Sequence, residues 1–235
     1  MWVTTNHQRI AIITGASRGL GLALARRLAS DGYSLVVDGR GAERLERARA
    51  QLASTTKVIA IPGDVSDPDH RRQLIEAADG SLDLLINNAS ILGPSPQPNL
   101  ADYPLDVLEQ VYRTNVIAPL GLIQLALPLL RLSQGTVINI TSDAALEAYE
   151  GWGGYGSSKA ALEQVSRILA AEEPQVRVYW VDPGDMNTQM HQEAFPGEDI
   201  SDRPPPEASI PGLFDLIQGT RPSGRYSSRE LAAAT

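Results

Sequence analysis

Short apolar runs alternate with amphipathic stretches along most of the chain. The runs lie at 10–13, 34–37, 57–61, 82–86, 136–140 and 176–181. Several lack the polar–apolar alternation of a half-exposed strand, as strands buried on both faces should. Between them, apolar residues recur at helical spacing. Leu20, Leu24 and Leu28 form one stripe, and Leu45, Ala48 and Leu52 form another on the charged segment 43–51. This alternation predicts an α/β fold, a doubly wound parallel sheet with helices on both faces. No repeat or linker interrupts it, so the 235 residues are expected to form a single domain, 1–235.

The pattern changes after Pro183-Gly184. Residues 185–212 are rich in Pro, Asp and Glu with isolated large apolar residues, the composition of a long loop or helical flap. Such an excursion reads either as a substrate lid or as an irregular surface segment, and the lid is favoured. Residues 223–226 fit a brief last strand.

Composition narrows the partners. The net charge is −8 with no block of like charge, which argues against a nucleic acid or an anionic membrane surface. There is no cysteine, which excludes disulfides, thiolate metal sites and a cysteine nucleophile. The three histidines, His7, His70 and His191, are scattered; they form no metal cluster and have no evident catalytic partner. The N-terminal MWVTTNHQR has no apolar signal region. The longest apolar stretch, 116–132, is interrupted by Pro119, Gln124 and Pro128, short of the run of about 18 residues that spans a bilayer. A soluble, cytoplasmic protein is expected.

Thr14-Gly15-Ala16-Ser17-Arg18-Gly19-Leu20-Gly21 follows the first strand directly and opens the first helix. Glycines there allow a tight turn and close approach of the backbone to a pyrophosphate, which the helix N-terminus attracts. The context is that of a Rossmann-type dinucleotide site. Arg18 and Arg40 flank the expected adenosine end and suit a 2′-phosphate, so NADP(H) is favoured over NAD(H). Asp38 conflicts with this: it stands near where an acid would accept from a free 2′-hydroxyl, or else it caps a turn or pairs with Arg40. Asp64-Val65 and Asn87-Asn88-Ala89 also fall at strand C-terminal ends, where ligands bind in such sheets; ordinary turn chemistry is the alternative.

Tyr155 and Lys159 lie four residues apart at the start of a helical stretch. Of the 20 cationic side chains only Lys57 and Lys159 are lysines, so a mere surface charge at 159 would be expected to be arginine. A compact ammonium one helical turn from a phenol suits proton transfer.

With these residues the chain resembles the single-domain short-chain dehydrogenase/reductase family over nearly its whole length. Thr14 to Gly21 matches the TGxxxGxG element, Asp64 the adenine contact and Asn87-Asn88-Ala89-Ser90 the NNAG element, with Ser90 in place of the last glycine. Asn115, Ser142, Tyr155 and Lys159 match the catalytic set, and Pro183-Gly184 with Thr188 the segment that holds the nicotinamide carboxamide. The family's closing Asp-Gly-Gly is absent.

The resemblance implies an NADPH-dependent reductase of a ketone or aldehyde, or the reverse alcohol oxidation. Tyr155 would be the general acid/base. Lys159 would lower the phenol's pKa and bind the nicotinamide ribose, Ser142 would polarise the carbonyl, and Asn115 would hold a relay water through its backbone. It also implies a homodimer or homotetramer through a long helix near 104–131, which Pro119 and Pro128 would kink, and the helix that begins near Tyr155. Two other classes remain open: a non-catalytic NAD(P)-sensing protein, and a redox-neutral epimerase or dehydratase. The former would be expected to lose Tyr155, Lys159 or Ser142, and the latter to carry a larger segment after Pro183-Gly184. Beside the catalytic elements, Ile91, Leu92, Leu146, Glu147, Tyr149, Trp152, Met186 and Met190 suggest a largely apolar substrate pocket with one carboxylate, or else lid and interface packing.

Overall fold

The computed structural model describes residues 8–233; the N-terminal stretch with His7 lies outside them. Seven parallel strands form one sheet in the order β3-β2-β1-β4-β5-β6-β7. They are β1 Ile10–Ile13, β2 Ser34–Gly39, β3 Val58–Pro62, β4 Leu84–Asn87, β5 Thr136–Ile140, β6 Arg177–Asp182 and β7 Gly224–Ser227. The order reverses between β1 and β4, so a crevice opens at their C-terminal ends. The helices are α1 Gly19–Ser30, α2 Ala42–Leu52, α3 Pro68–Glu76, α4 Leu105–Tyr112, α5 Ala118–Ser133, α6 Gly153–Glu172, α7 Gln189–Ala194, α8 Ile210–Gln218 and α9 Ser228–Ala233.

The absence of polar alternation has a direct cause. In β1, Ala11 and Ile13 pack on one face with Leu24 and Leu28 of α1 and Leu213 of α8. Ile12 packs on the other with Leu74 of α3 and Leu122 and Ile123 of α5. Both faces of the strand are core, so every position favours an apolar residue. All six runs are strands, and the brief seventh pairs with β6, Gly224 beside Tyr179. β2 continues two residues past its apolar run, because Asp38 and Gly39 still pair with Ile61 and Pro62.

α4, a five-residue π-turn at Arg113–Ile117 and α5 form one continuous 29-residue helix. The apolar stretch is therefore helical through its prolines. Pro119 directly follows the π-turn, where the hydrogen-bond pattern of the helix is already interrupted, and Pro128 lies inside α5. By length and composition alone (mean hydropathy 1.7) this helix could cross a bilayer. Its buried stripe, Val111, Val116, Leu122, Ile123, Ala126 and Leu130, packs inward, as in a core helix. Ile117, Leu125 and Leu132 remain exposed.

Residues 185–212 are folded. They hold α7, a 3-10 turn at Pro206–Ser209 and the first residues of α8. Thr188 Oγ1 accepts from the His191 N–H, capping α7, and the Asn187 N–H donates to the Pro204 carbonyl at 2.8 Å.

Candidate active site

The loop between β1 and α1 closes through its glycines. Gly15 has φ +68°, and a Cβ there would stand 2.9 Å from Ala89 Cα. A Cβ on Gly21 would meet the Gly15 carbonyl oxygen at 2.5 Å. Backbone strain and contact thus both call for glycine. Thr14 Oγ1 accepts from the Asn88 and Ala89 N–H groups, each at 3.0 Å. Asn88 Nδ2 donates back to the carbonyls of Thr14 and Gly15. The ends of β1 and β4 are stitched into one floor.

Asp38 faces inward. Its carboxylate, 1% exposed, accepts from the Gly15 N–H at 2.6 Å and lies 3.0 Å from His70 Nε2. The carboxyl pKa is raised by burial, and the His70 and Gly15 hydrogen bonds oppose that rise. Of the alternatives for Asp38, it holds the turn at Gly15 rather than pairing with Arg40, and His70 is its buried partner. Little along the chain marks the pair, since its members stand on β2 and α3. Beyond Asp38, Arg18, Arg40 and Arg44 converge on one cavity wall. Burial, and then the Arg44 charge, lower the Arg18 pKa. Burial opposes ionisation of Asp64, but the hydrogen bonds from Ser66, with Arg40 and His70 nearby, hold its carboxyl below the usual range.

Four catalytic candidates come together. Tyr155 and Lys159 are both buried on α6. Lys159 Nζ lies 5.4 Å from the Tyr155 ring centre and donates to the Ile140 carbonyl at 2.8 Å. Asn115 sits in the π-turn, a geometry that recurs at functional sites. Its Oδ1 accepts from the Ile91 N–H and Ser90 Oγ, and its Nδ2 donates to the Ile91 carbonyl and Ser158 Oγ. Ser142 lines the same cavity as Tyr155; its hydroxyl donates to Asp143 Oδ1 at 2.8 Å and accepts from the Ala144 N–H.

The electrostatics differ from the expectation that the ammonium lowers the phenol's pKa. Burial pushes the Tyr155 phenol up, Asp182 and Asp143 add to that, and a hydrogen bond with the Ser90 side chain opposes it. Lys159 is itself lowered by burial to about 7, so its charge is diminished at neutral pH. Asp182 is raised by burial and accepts from the Gly184 N–H.

The sequence reading missed a cation from the last strand. Arg225 donates from Nε to Glu163 Oε1 at 2.9 Å and from a terminal nitrogen to the Ser142 carbonyl at 3.3 Å. Glu163 also accepts from Thr141 Oγ1. It stands four residues after Lys159 on the same helix face, the one signal that could have found it.

The cavity, about 630 Å³, is lined by most of the expected residues: Gly15, Ser17, Arg18, Gly19 and Leu20; Arg40, Asp64, Val65, Asn88 and Ala89; Pro183, Gly184 and Thr188. Gly21 is behind it, packed on Gly15. Of the expected substrate residues, Trp152, Met186 and Met190 line the cavity together with Ile91 and Leu92. Leu146 (61% exposed) and Glu147 do not. The turn that carries them, capped at Ser142, projects them outward. Trp152 contacts Tyr155, Tyr149 and Phe195 edge-on or tilted, with ring centres 5.8–6.2 Å apart.

A glycine loop with no room for a Cβ at Gly15 or Gly21, three arginines and an inward phenol–ammonium pair suit an NAD(P) cofactor. These features define an NAD(P)-dependent oxidoreductase on a Rossmann-type sheet. Comparison with known proteins agrees. The short chain dehydrogenase family model matches residues 9–199. The 3-oxoacyl-[acyl-carrier-protein] reductase of rhamnolipid biosynthesis from Pseudomonas aeruginosa is 34% identical over 237 aligned positions, covering 96% of this chain and 86% of that protein. A solved structure described as a short chain dehydrogenase, from Pseudomonas syringae, superposes with TM-score 0.88 at 30% identity over 94% of each chain. Another, from Shigella flexneri and complexed with NADP, gives 0.85 at 27% over 94% and 97%. The chain belongs to the short chain dehydrogenase family.

Proposed function

We propose that the protein reduces a ketone or aldehyde of apolar bulk with NADPH, or oxidises the corresponding alcohol, with Tyr155 as general acid/base. The carrying observation is the shared burial of Tyr155 and Lys159 in the cavity that also holds Ser142 and the glycine loop. NADPH supplies the hydride. Tyr155 gives its proton to the developing alkoxide and takes it back in the reverse direction. Ser142 donates to the same oxygen once its hydroxyl turns from Asp143. Lys159 holds a ribose and returns a proton toward Tyr155. Asn115 keeps its side chain for the scaffold, which leaves its backbone for a relay water.

Arg18, Arg40 and Arg44 crowd one wall while Asp38 is turned inward, which supports a 2′-phosphate and hence NADPH. The relatives named above support the same reading, one being a 3-oxoacyl reductase and another complexed with NADP. Residues 185–212 serve as the lid: Met186, Met190 and His191 from this segment line the cavity. The protein works in the cytoplasm as a homodimer or homotetramer. Titration with NADPH and NADH, followed by a carbonyl panel, tests this. Turnover in wild type and its loss by two or more orders of magnitude in Tyr155→Phe, with cofactor binding retained, is expected. Unchanged turnover in that variant overturns the acid/base assignment.

A further inference from the structure

The chain at the end of β5 is pinned at three consecutive residues. Lys159 Nζ donates to the Ile140 carbonyl at 2.8 Å. Thr141 Oγ1 donates to Glu163 Oε1 at 2.9 Å. A terminal nitrogen of Arg225 donates to the Ser142 carbonyl at 3.3 Å. Lys159 and Glu163 belong to α6, but Arg225 comes from β7 and reaches past β6, since β7 pairs with β6 and β6 with β5.

The same terminal nitrogen lies 3.7 Å from Asp182 Oδ2, while Asp182 Oδ1 accepts from the Gly184 N–H at 2.8 Å. Arg225 Nε donates to Glu163 Oε1 at 2.9 Å. One guanidinium therefore joins the Ser142 main chain, the Asp182 carboxylate and the Glu163 carboxylate. Ser142 and Asp182 line the cavity, and Arg225 stands behind them. The residues that follow β7 grip the same turn. Ser228 Oγ donates to the Pro183 carbonyl at 3.2 Å, and Arg229 donates to the Asp185 carbonyl.

We propose that Arg225 is a positioning residue that fixes the Ser142 main chain against Asp182 and the Pro183-Gly184 turn, and so sets the placement of the Ser142 hydroxyl relative to the nicotinamide end of the cofactor. The proposal rests on Ser142 being the donor to the substrate oxygen and on that turn holding the nicotinamide. A guanidinium suits the task because its donors lie in one rigid plane and meet separate acceptors at fixed spacing, whereas an ammonium on a flexible stem does not. The Ser142 carbonyl also accepts from the Ala145 N–H at 3.1 Å, so loss of Arg225 loosens this turn without leaving the oxygen bare. A shift of about 1 Å in a reacting group costs up to roughly 100-fold in rate, so even a partial loosening is visible in kcat.

Arg225 also balances Glu163, whose side chain is 4% exposed, and losing that pair alone would lower stability. The test separates the two effects with Arg225→Met and the double variant Arg225→Met/Glu163→Gln, which removes the buried charge as well. In both, kcat should fall about tenfold or more while the Kd for NADPH stays within about threefold. The melting temperature should drop in the single variant and recover in the double. A kcat within twofold of wild type, or one that recovers together with the melting temperature, overturns the proposal.

Amide hydrogen exchange in the cofactor-free protein needs no turnover. Exchange at Ala145 and Gly184, whose N–H groups bond Ser142 and Asp182, should quicken about tenfold in the double variant, with Ile12 and Ile86 of the sheet unchanged. Unmoved exchange at Ala145 and Gly184 overturns the proposal by itself. If wild type turns over neither a carbonyl nor an alcohol, the functional reading falls, and the exchange data still decide whether Arg225 holds the two walls. Should Arg225→Met fail to fold, Arg225→Lys, which keeps the charge without the planar fork, is read by the same measurements.

Discussion

Asp38 Oδ2 lies 3.0 Å from His70 Nε2, and both side chains are buried, 1% and 4% exposed. The other carboxylate oxygen holds the Gly15 N–H, so a histidine on α3 orients the acid that supports the glycine loop. His70→Ala leaves that carboxylate buried with one partner. Unfolding free energy should fall by about 2–4 kcal/mol in urea titration, and NADPH binding should weaken in the surviving fold. Stability equal to wild type would show that the pair carries no such role.

Arg40→Ala should raise the Kd for NADPH about 10- to 100-fold and leave that for NADH within about twofold, since charge-assisted bonds to a phosphate contribute roughly 1.5–3 kcal/mol. The gap should narrow as salt rises. Paired titrations by cofactor fluorescence measure it. Tighter NADH binding in the wild type would assign the arginines another role.

Burial lowers Lys159 from 10.5 to about 7. Between those values the unfolded chain holds a proton that the folded chain has lost, so this group makes stability rise with pH across that window. Lys159→Met removes the effect. The variant should be more stable than wild type relative to its own value at pH 10 when measured at pH 6, and turnover should be lost. Melting curves at both pH values, with activity beside them, check this.

Trp152→Ala and Met190→Ala remove cavity lining and should raise KM for apolar ketones by about 10-fold or more, from the lost apolar contact. Leu146→Ala and Glu147→Gln, on the outward turn, should leave KM within about twofold. Steady-state kinetics on a graded ketone series separates the two groups.

Ile117 and Leu125 on the long helix and Ile168 on α6 are exposed apolar residues. A second copy of the chain would cover such surface. Leu125→Glu or Ile168→Glu should therefore shift the assembly toward monomer in light scattering, with the melting temperature falling as the copies separate.

Local order carried much of the fold. Both faces of β1 are core, so its residues had to be apolar, and the glycine loop had to follow a strand and open a helix. The same held for Tyr155 and Lys159, one helical turn apart. Pro119 and Pro128 break the apolar run of the sequence, yet both lie within one continuous helix, and the π-turn just before Pro119 was not legible. The direction of the turn at 143–147 was not legible either. Nothing local decides whether Leu146 points to a cavity or away from it.

The sequence by itself determined the alternation that builds the sheet, the glycines that only a close backbone approach explains, and the order of the catalytic candidates. These depend on spacing along the chain, which periodicity records. Only the tertiary structure decided which way Asp38 faces and that His70 and Arg225 support the site. Those contacts join residues 32 to 83 positions apart. A sequence can name the groups, but the distance and burial that set their charge exist only once the chain has packed.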